Sequence, residues 1–274
     1  MSSESRAVFC VSDHTGVTAE VLAHSLMARF EGLETRYETR PFVDDEPKVE
    51  ALVAEINRVG AAGSTPIVFS TIIDAELGAM LNRADAVVVG LFDPFVAILA
   101  DELGIDPTAM VGRYHGVSNA AVYQVRLDAV EYALATDDGL GLDRYGEADV
   151  IVVGVSRVGK TPTCLYLAMQ YGVRAANFPL TSEILDQRRF SDVLEANIDR
   201  LFGLTIDPVQ LFQIRQKRRP DSTYASLERC ASEVEIAEWL FRRGRIPVLD
   251  TTVRSIEEIS ATIREQASLE RRLG

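Results

Sequence analysis

Cysteine is scarce in this chain, and basic charge is outnumbered. The three cysteines, Cys10, Cys164 and Cys230, stand far apart with no C-x-x-C spacing, which excludes a disulfide framework and a zinc site. Each reads as a small buried hydrophobe. Lys plus Arg number 28 against 41 Asp plus Glu, a net charge of −13. Nothing in that balance favours a nucleic acid, whose backbone needs Lys and Arg to replace its counterions. A bound phosphate must therefore sit in a local basic pocket rather than in a global field. Long apolar runs are missing too: the greasiest stretch, residues 86–100, is interrupted by Asp93 and Pro94 and is too short to span a bilayer. The opening residues, MSSESRAVFC, lack a basic segment followed by an apolar one, so no secretory leader is expected. The expectation is a protein of the reducing cytoplasm, with no membrane and no nucleic-acid partner.

What is present is a pattern of short apolar runs and helical periods. With 47% apolar residues over 274 positions, the chain can bury one large core or two modest ones. Candidate strands cover 7–12, 37–43, 66–70 and 86–91. Between them Val21, Leu22, Leu26 and Phe30 recur at helical spacing, as do Val49, Leu52, Val53 and Ile56. Unalternating strands separated by helices indicate a parallel sheet covered on both faces. Residues 119–135 read as a further helix, and the Gly- and Asp-rich segment 137–149 as a linker. A second series of strands and helices follows, with strands at 150–154, 174–178 and 246–250 and a helix at 162–171. A long amphipathic helix over Leu227, Cys230, Val234, Ala237 and Leu240 stops at Gly244. Ser255 and Glu258 form a capping box for the last helix. The fold class is α/β, with an N-terminal open parallel-sheet domain over 1–145 and a P-loop kinase-like domain over 146–274.

The decisive segment is ADVIVVGVSRVGKTPT, residues 148–163. It carries G-x-x-x-x-G-K-T as Gly154, Gly159, Lys160 and Thr161, after a buried-type strand and at the start of a helix, the context that gives the motif meaning. Glycines let the backbone wrap an anion with its amides inward, and the helix N-terminus adds its positive end. The nucleotide-binding residues are Gly154, Val155, Ser156, Arg157, Val158, Gly159, Lys160 and Thr161. Lys160 is placed to reach the terminal phosphate and act in catalysis, and the Thr161 hydroxyl suits Mg²⁺. Pro162 is tolerated in the first helical turn. Arg157 either grips a transferring phosphoryl group or points to solvent.

The N-K-x-D segment that reads guanine in GTPases is absent. The strand and helix after Val248 resemble the end of P-loop small-molecule kinases. Before them Arg215, Lys217, Arg218 and Arg219 form a basic cluster, read either as a lid that closes on phosphates or as a solvated helix face.

Several segments together resemble one family: SDHTGVTAEVL from Ser12, HGVS from His115, DDG from Asp137, GVSRVGKTPTCLYLAMQYGVRAANFPL from Gly154, LFGLTIDP from Leu201 and YASLERC from Tyr224. The chain resembles the regulatory proteins of phosphoenolpyruvate synthase and of pyruvate, phosphate dikinase over nearly its whole length. That resemblance implies a bifunctional serine/threonine kinase and phosphorylase. ADP, with Mg²⁺, phosphorylates a threonine of the partner enzyme; inorganic phosphate then removes the group as pyrophosphate. The G-K of the loop, with TPT and YLAMQYG after it, resembles the synthase branch, so phosphoenolpyruvate synthase is the expected protein partner. A homodimer is compatible with it. His14 departs from what some relatives carry and is assigned no catalysis.

Either direction of such a reaction needs an anion cradle, a cation and a proton acceptor. Asp13, at the end of a strand where α/β sheets bind ligands, is either the base or a helix cap. His115 titrates near neutrality if unperturbed and is either a proton shuttle or a packed loop residue. Asp137 and Asp138 are either a turn or a base, and Asp250 ends a strand where it can either orient Mg²⁺ or touch the nucleotide base. The competing functions are the same chemistry on pyruvate, phosphate dikinase, an ATP-dependent small-molecule kinase, and a non-catalytic nucleotide switch. A small-molecule kinase leaves the first 140 or so residues without a purpose, which docking of a large protein substrate would supply.

Overall fold

A computed structural model describes residues 5–107, 120–219 and 223–272, and the chain divides into two compact units, residues 1–116 and 117–274. Each is an α/β unit built on four parallel strands.

In the first unit strands β1 (Arg6–Val11), β2 (Thr35–Arg40), β3 (Ile67–Ser70) and β4 (Val87–Gly90) alternate with helices α1 (Val17–Met27), α2 (Glu46–Ala62), α3 (Ala75–Leu81) and α4 (Asp93–Leu103). The lateral order is β2-β1-β3-β4, all parallel. The period of two on β1 assigns the faces. Phe9 and Val11 share a core with Val49, Leu52 and Ile56 of α2 and Leu77 of α3. Val8 and Cys10 share another with Ala19, Ala23 and Met27 of α1. The expected stripe on α1 is therefore not the buried one: Val21, Leu22, Leu26 and Phe30 are exposed. Ala19 and Ala23 are small enough for the helix to lie close on the sheet, and that close contact decides which face turns inward. β2 stops short of the expected residue 43, since Pro41 has no amide to donate and Phe42 takes a positive φ of 58°.

The second unit opens with α5 (Ala120–Ala135), then runs β5 (Val150–Gly154), α6 (Lys160–Tyr171), β6 (Ala175–Pro179), α7 (Ser182–Gln187), α8 (Asp192–Glu195), β7 (Leu201–Thr205), α9 (Pro208–Arg218), α10 (Leu227–Gly244), β8 (Val248–Asp250) and α11 (Ile256–Gln266). Its sheet order is β6-β5-β7-β8, again all parallel. The division between units falls before α5, earlier than the expected 145/146. Ala129, Tyr132, Ala133 and Tyr145 belong to one core with Ile151, Val153 and Leu167. Residues 137–149 are likewise not a linker: they form two 3₁₀ turns, 137–139 and 142–147, pinned by fully buried Tyr145, whose hydroxyl donates to the Asn177 carbonyl at 2.9 Å.

β7 is the strand that apolar runs did not reveal, a short LFGLT segment between β5 and β8. The capping box is present, with Ser255 Oγ accepting from the Glu258 amide and the Glu258 carboxylate accepting from the Ser255 amide. α10 runs through Gly244, and Arg245 takes the left-handed cap position at φ 55°. Gly244 serves packing instead: a Cβ there would meet Ile246 at 3.1 Å and Phe190 at 3.2 Å. All three cysteines are free and buried, as expected. Burial pushes the Cys10 thiol up to about 11 and raises the other two as well. Among the described residues no helix is long and apolar enough to cross a membrane.

Gly203 of β7 faces the Phe241 ring of α10, which a Cβ would meet at 2.9 Å. Gly203→Ala is expected to cost about 1–3 kcal/mol by overpacking, read as a lower urea midpoint at unchanged m-value. Phe241→Leu in the same chain is expected to recover part of the loss.

Candidate active site

The loop after β5 lies where the strand order reverses, between β5 and β7, the position at which open α/β sheets leave a crevice for ligands. Gly154 is required by contact: a Cβ would stand 2.7 Å from the Leu204 carbonyl oxygen and 2.9 Å from Val158 Cγ2. Gly159 is required by conformation, since it caps α6 at φ 92°. Val155 and Val158 are buried and anchor the loop to the core between these two glycines. Arg157, with its side chain exposed, holds φ 80°, a left-handed state costing roughly 1–2 kcal/mol for a residue with a Cβ. No side chain caps α6. Among the described residues the amides of Arg157, Gly159, Lys160 and Thr161 donate to no protein acceptor. Unpaired donors at the positive end of a helix are what an anion needs.

Lys160 is buried, and its Nζ donates to the Val155 carbonyl at 3.1 Å. Loss of hydration lowers its pKa to about 8, against the opposing pull of Asp138, Cys164 and Asp137. The neighbouring Thr161 hydroxyl donates to Asp137 Oδ1 at 2.9 Å, and the Asn177 amide donates to Thr161 Oγ1 at 2.9 Å and to Asp137. Asp137 reaches this position because the segment before it covers the free edge of β6. The backbone N–H of Asn177 donates to the Thr136 carbonyl at 3.2 Å, and the Tyr145 hydroxyl donates to the Asn177 carbonyl. Asn177 Oδ1 is buried without a donor among the described residues, as in a polar site that receives a group from outside the chain. Asp138 is exposed at φ 50° and acts on Lys160 through its charge.

The structure thus draws Asp137, Asp138, Lys160 and Thr161 together and adds Asn177. Only a polar residue in the middle of the apolar strand AANFP hinted at Asn177. The basic cluster splits: Lys217 and Arg218 are exposed on α9, whereas Arg215 is fully buried and cannot sweep over a ligand as a lid. Its Nη2 donates to the Ser156 carbonyl at 3.1 Å and to Glu233 at 2.7 Å. Asp250 accepts from the amide and hydroxyl of Thr252, a local turn. Asp13 belongs to the first unit, buried, accepting from the Ile73 amide at 3.2 Å and paired with His14 at 3.3 Å. It does not cap α1, whose N-cap is Gly16 at φ 79°. His115 lies outside the described residues. Among the described residues no three His, Cys, Asp or Glu side chains converge on a metal position. Thr161 Oγ1 and Asp137 are hard oxygen donors of the kind Mg²⁺ takes alongside substrate phosphates.

Residues 8–263 match the model of a family described as kinase/pyrophosphorylase. Similar proteins from Halorhodospira halophila (50% identity, 98% of both chains), Alkalilimnicola ehrlichii (47%, 100% of both) and Marinobacter nauticus (45%, 97% of this chain and 98% of the other) all carry names that provisionally assign them as phosphoenolpyruvate synthase regulatory proteins.

Because Asp138 is the strongest of the influences holding a proton on Lys160, Asp138→Asn is expected to move the Lys160 pKa below about 8. The chain has only three lysines, so a ¹³Cε titration followed by NMR resolves it directly. An unmoved titration would separate the two side chains electrostatically.

Proposed function

The chain belongs to the kinase/pyrophosphorylase family, and from that premise we propose that it switches phosphoenolpyruvate synthase off by ADP-dependent phosphorylation of a threonine and on again by phosphorolysis. The family supports phosphotransferase chemistry, and the relatives' names support a regulatory role. The observation that carries the finer reading is a buried lysine at the head of an uncapped helix, beside a threonine tied to a carboxylate.

In the forward direction the threonine oxygen of the partner attacks the β-phosphorus of ADP, the bond to the α-phosphate oxygen breaks, and AMP leaves. In the reverse direction an oxygen of inorganic phosphate attacks the phosphothreonine, releasing threonine and pyrophosphate. The residues of this chain serve both directions. The unpaired amides around Gly159 receive the β-phosphate or its equivalent, and Lys160 offsets the charge that builds on the transferring oxygens. Thr161 and Asp137 would hold Mg²⁺, which when bound neutralises phosphate charge. Asp137 is already engaged by Thr161 and Asn177, so Asp138, exposed and close enough to act on Lys160, is the carboxylate we assign to accept the threonine proton. Asp13 and His115 are the alternatives. The first unit is read as the docking module for the partner enzyme.

The test supplies purified phosphoenolpyruvate synthase and Mg²⁺ with β-labelled ADP or γ-labelled ATP. Label is expected on a threonine from ADP, and in pyrophosphate after addition of inorganic phosphate. Threonine labelling from ATP alone overturns the nucleotide assignment. Lys160→Ala is expected to abolish both directions with an unchanged circular dichroism spectrum.

The pH dependence follows from Lys160. A bound diphosphate favours its charged form, so binding takes up a proton once free Lys160 has lost one. ADP affinity is therefore expected to hold below about pH 8 and to fall above it, by at most about tenfold per pH unit for one linked proton. Calorimetry from pH 6.5 to 9.5 measures it, with Lys160→Ala giving a weak, flat profile.

A further inference from the structure

Arg215 is a charge that stability alone does not explain. It is fully buried and its Nε has no partner among the described residues. Burying an ion pair such as Arg215–Glu233 gains little over apolar packing of the same volume. What this guanidinium touches is specific. Nη2 is shared between Glu233 at 2.7 Å and the Ser156 carbonyl at 3.1 Å, and Nη1 donates to the Tyr224 carbonyl at 3.2 Å. Its Cζ lies 4.2 Å from the centroid of the Tyr224 ring, and the Tyr224 hydroxyl donates to Ser156 Oγ at 2.8 Å. Glu233 is itself braced by Arg229, which also reaches Ser182 Oγ at 2.8 Å. Backbone and side chain of one loop residue, Ser156, are thus held from the α9–α10 layer.

The consequence follows from the peptide plane. In a trans peptide the N–H points opposite to the C=O. With the Ser156 carbonyl drawn to Arg215, the amide of Arg157 is turned away from α9 and toward the opposite side of the loop. It is one of the amides that donate to no protein acceptor among the described residues. The left-handed φ of 80° at Arg157 persists only where the surroundings over-determine it, and the two contacts to Ser156 are such surroundings.

We infer that Arg215 and Tyr224 are positioning residues that lock the loop in its anion-receiving form by holding Ser156. This rests on the nucleotide reading above. The full chain is titrated with Mg-ADP and with AMP by calorimetry, alongside thermal unfolding and hydrogen exchange over residues 155–161. Arg215→Lys keeps a charge for Glu233 but cannot hold the Ser156 and Tyr224 carbonyls together. Tyr224→Phe keeps the ring and loses only the hydroxyl. Arg215→Lys is expected to weaken ADP binding by roughly ten- to a hundredfold, the scale of a small misplacement of a site, with AMP affected less and with faster exchange confined to the loop. Tyr224→Phe is expected to shift all three readouts the same way by a smaller factor. ADP affinity and loop exchange equal to wild type, or losses that merely track the unfolding temperature, overturn the inference. If Arg215→Lys does not fold, Tyr224→Phe decides by the same readouts. Failure of the wild-type chain to take up ADP overturns the nucleotide reading and this inference with it; uptake by wild type with indifferent variants overturns this inference alone.

Discussion

One ammonium kept out of water sets the terms for the second unit. Lys160 sits at the positive end of a helix with no side-chain cap, where both burial and the dipole disfavour its charge. Its fall to about 8 records chiefly the cost of burial. A protein carrying a net −13 has concentrated, in one turn of backbone, a lysine and several free amides with too few partners among themselves. The complement of such a place is a compact anion. The carboxylates nearby, Asp138 and Asp137, moderate the imbalance by favouring the protonated lysine.

Two separate sets of contacts brace the loop and the start of α6. On one side the 3₁₀ turn at 137–139 seals the edge of β6 and delivers Asp137 to Thr161, so a strand edge that would be a liability if exposed becomes the mount for a carboxylate. On the other, the α9–α10 layer grips Ser156 through Arg215 and Tyr224. Between them lies a left-handed arginine, Arg157 at φ 80°. Rigid supports under a strained loop are how a backbone site keeps its geometry when no ligand enforces it.

The two units repeat a topology without repeating a sequence. Each has its first strand second in the sheet, with the next strand on one side and the third on the other. In each, the first strand runs into a left-handed glycine at the head of a helix: Gly16 before α1, Gly159 before α6. The chemistry at the two places is opposite. Asp13 brings a buried carboxylate to the first, Lys160 a buried ammonium to the second.

Apolar runs and periods determined, from sequence alone, that this is an α/β chain with parallel strands, and the spacing of Gly154, Gly159, Lys160 and Thr161 marked the glycine-bounded turn between β5 and α6. Those signals are local: a strand period, a helix period and a turn that only glycine can make are each written within a few consecutive residues. Tertiary structure alone decided that α1 turns its alanines inward, that residues 137–149 pack into the second unit rather than form a linker, and that Arg215 is buried against Ser156 rather than free to act as a lid. Asp137 meets Thr161 across 24 positions of chain and Asn177 across 40, and Arg215 meets Ser156 across 59. Contacts at that separation exist only once strand order and edge coverage have brought the backbone together, so an Asp in a Gly-rich stretch reads as a turn and an Arg in a basic run reads as surface until the fold places them.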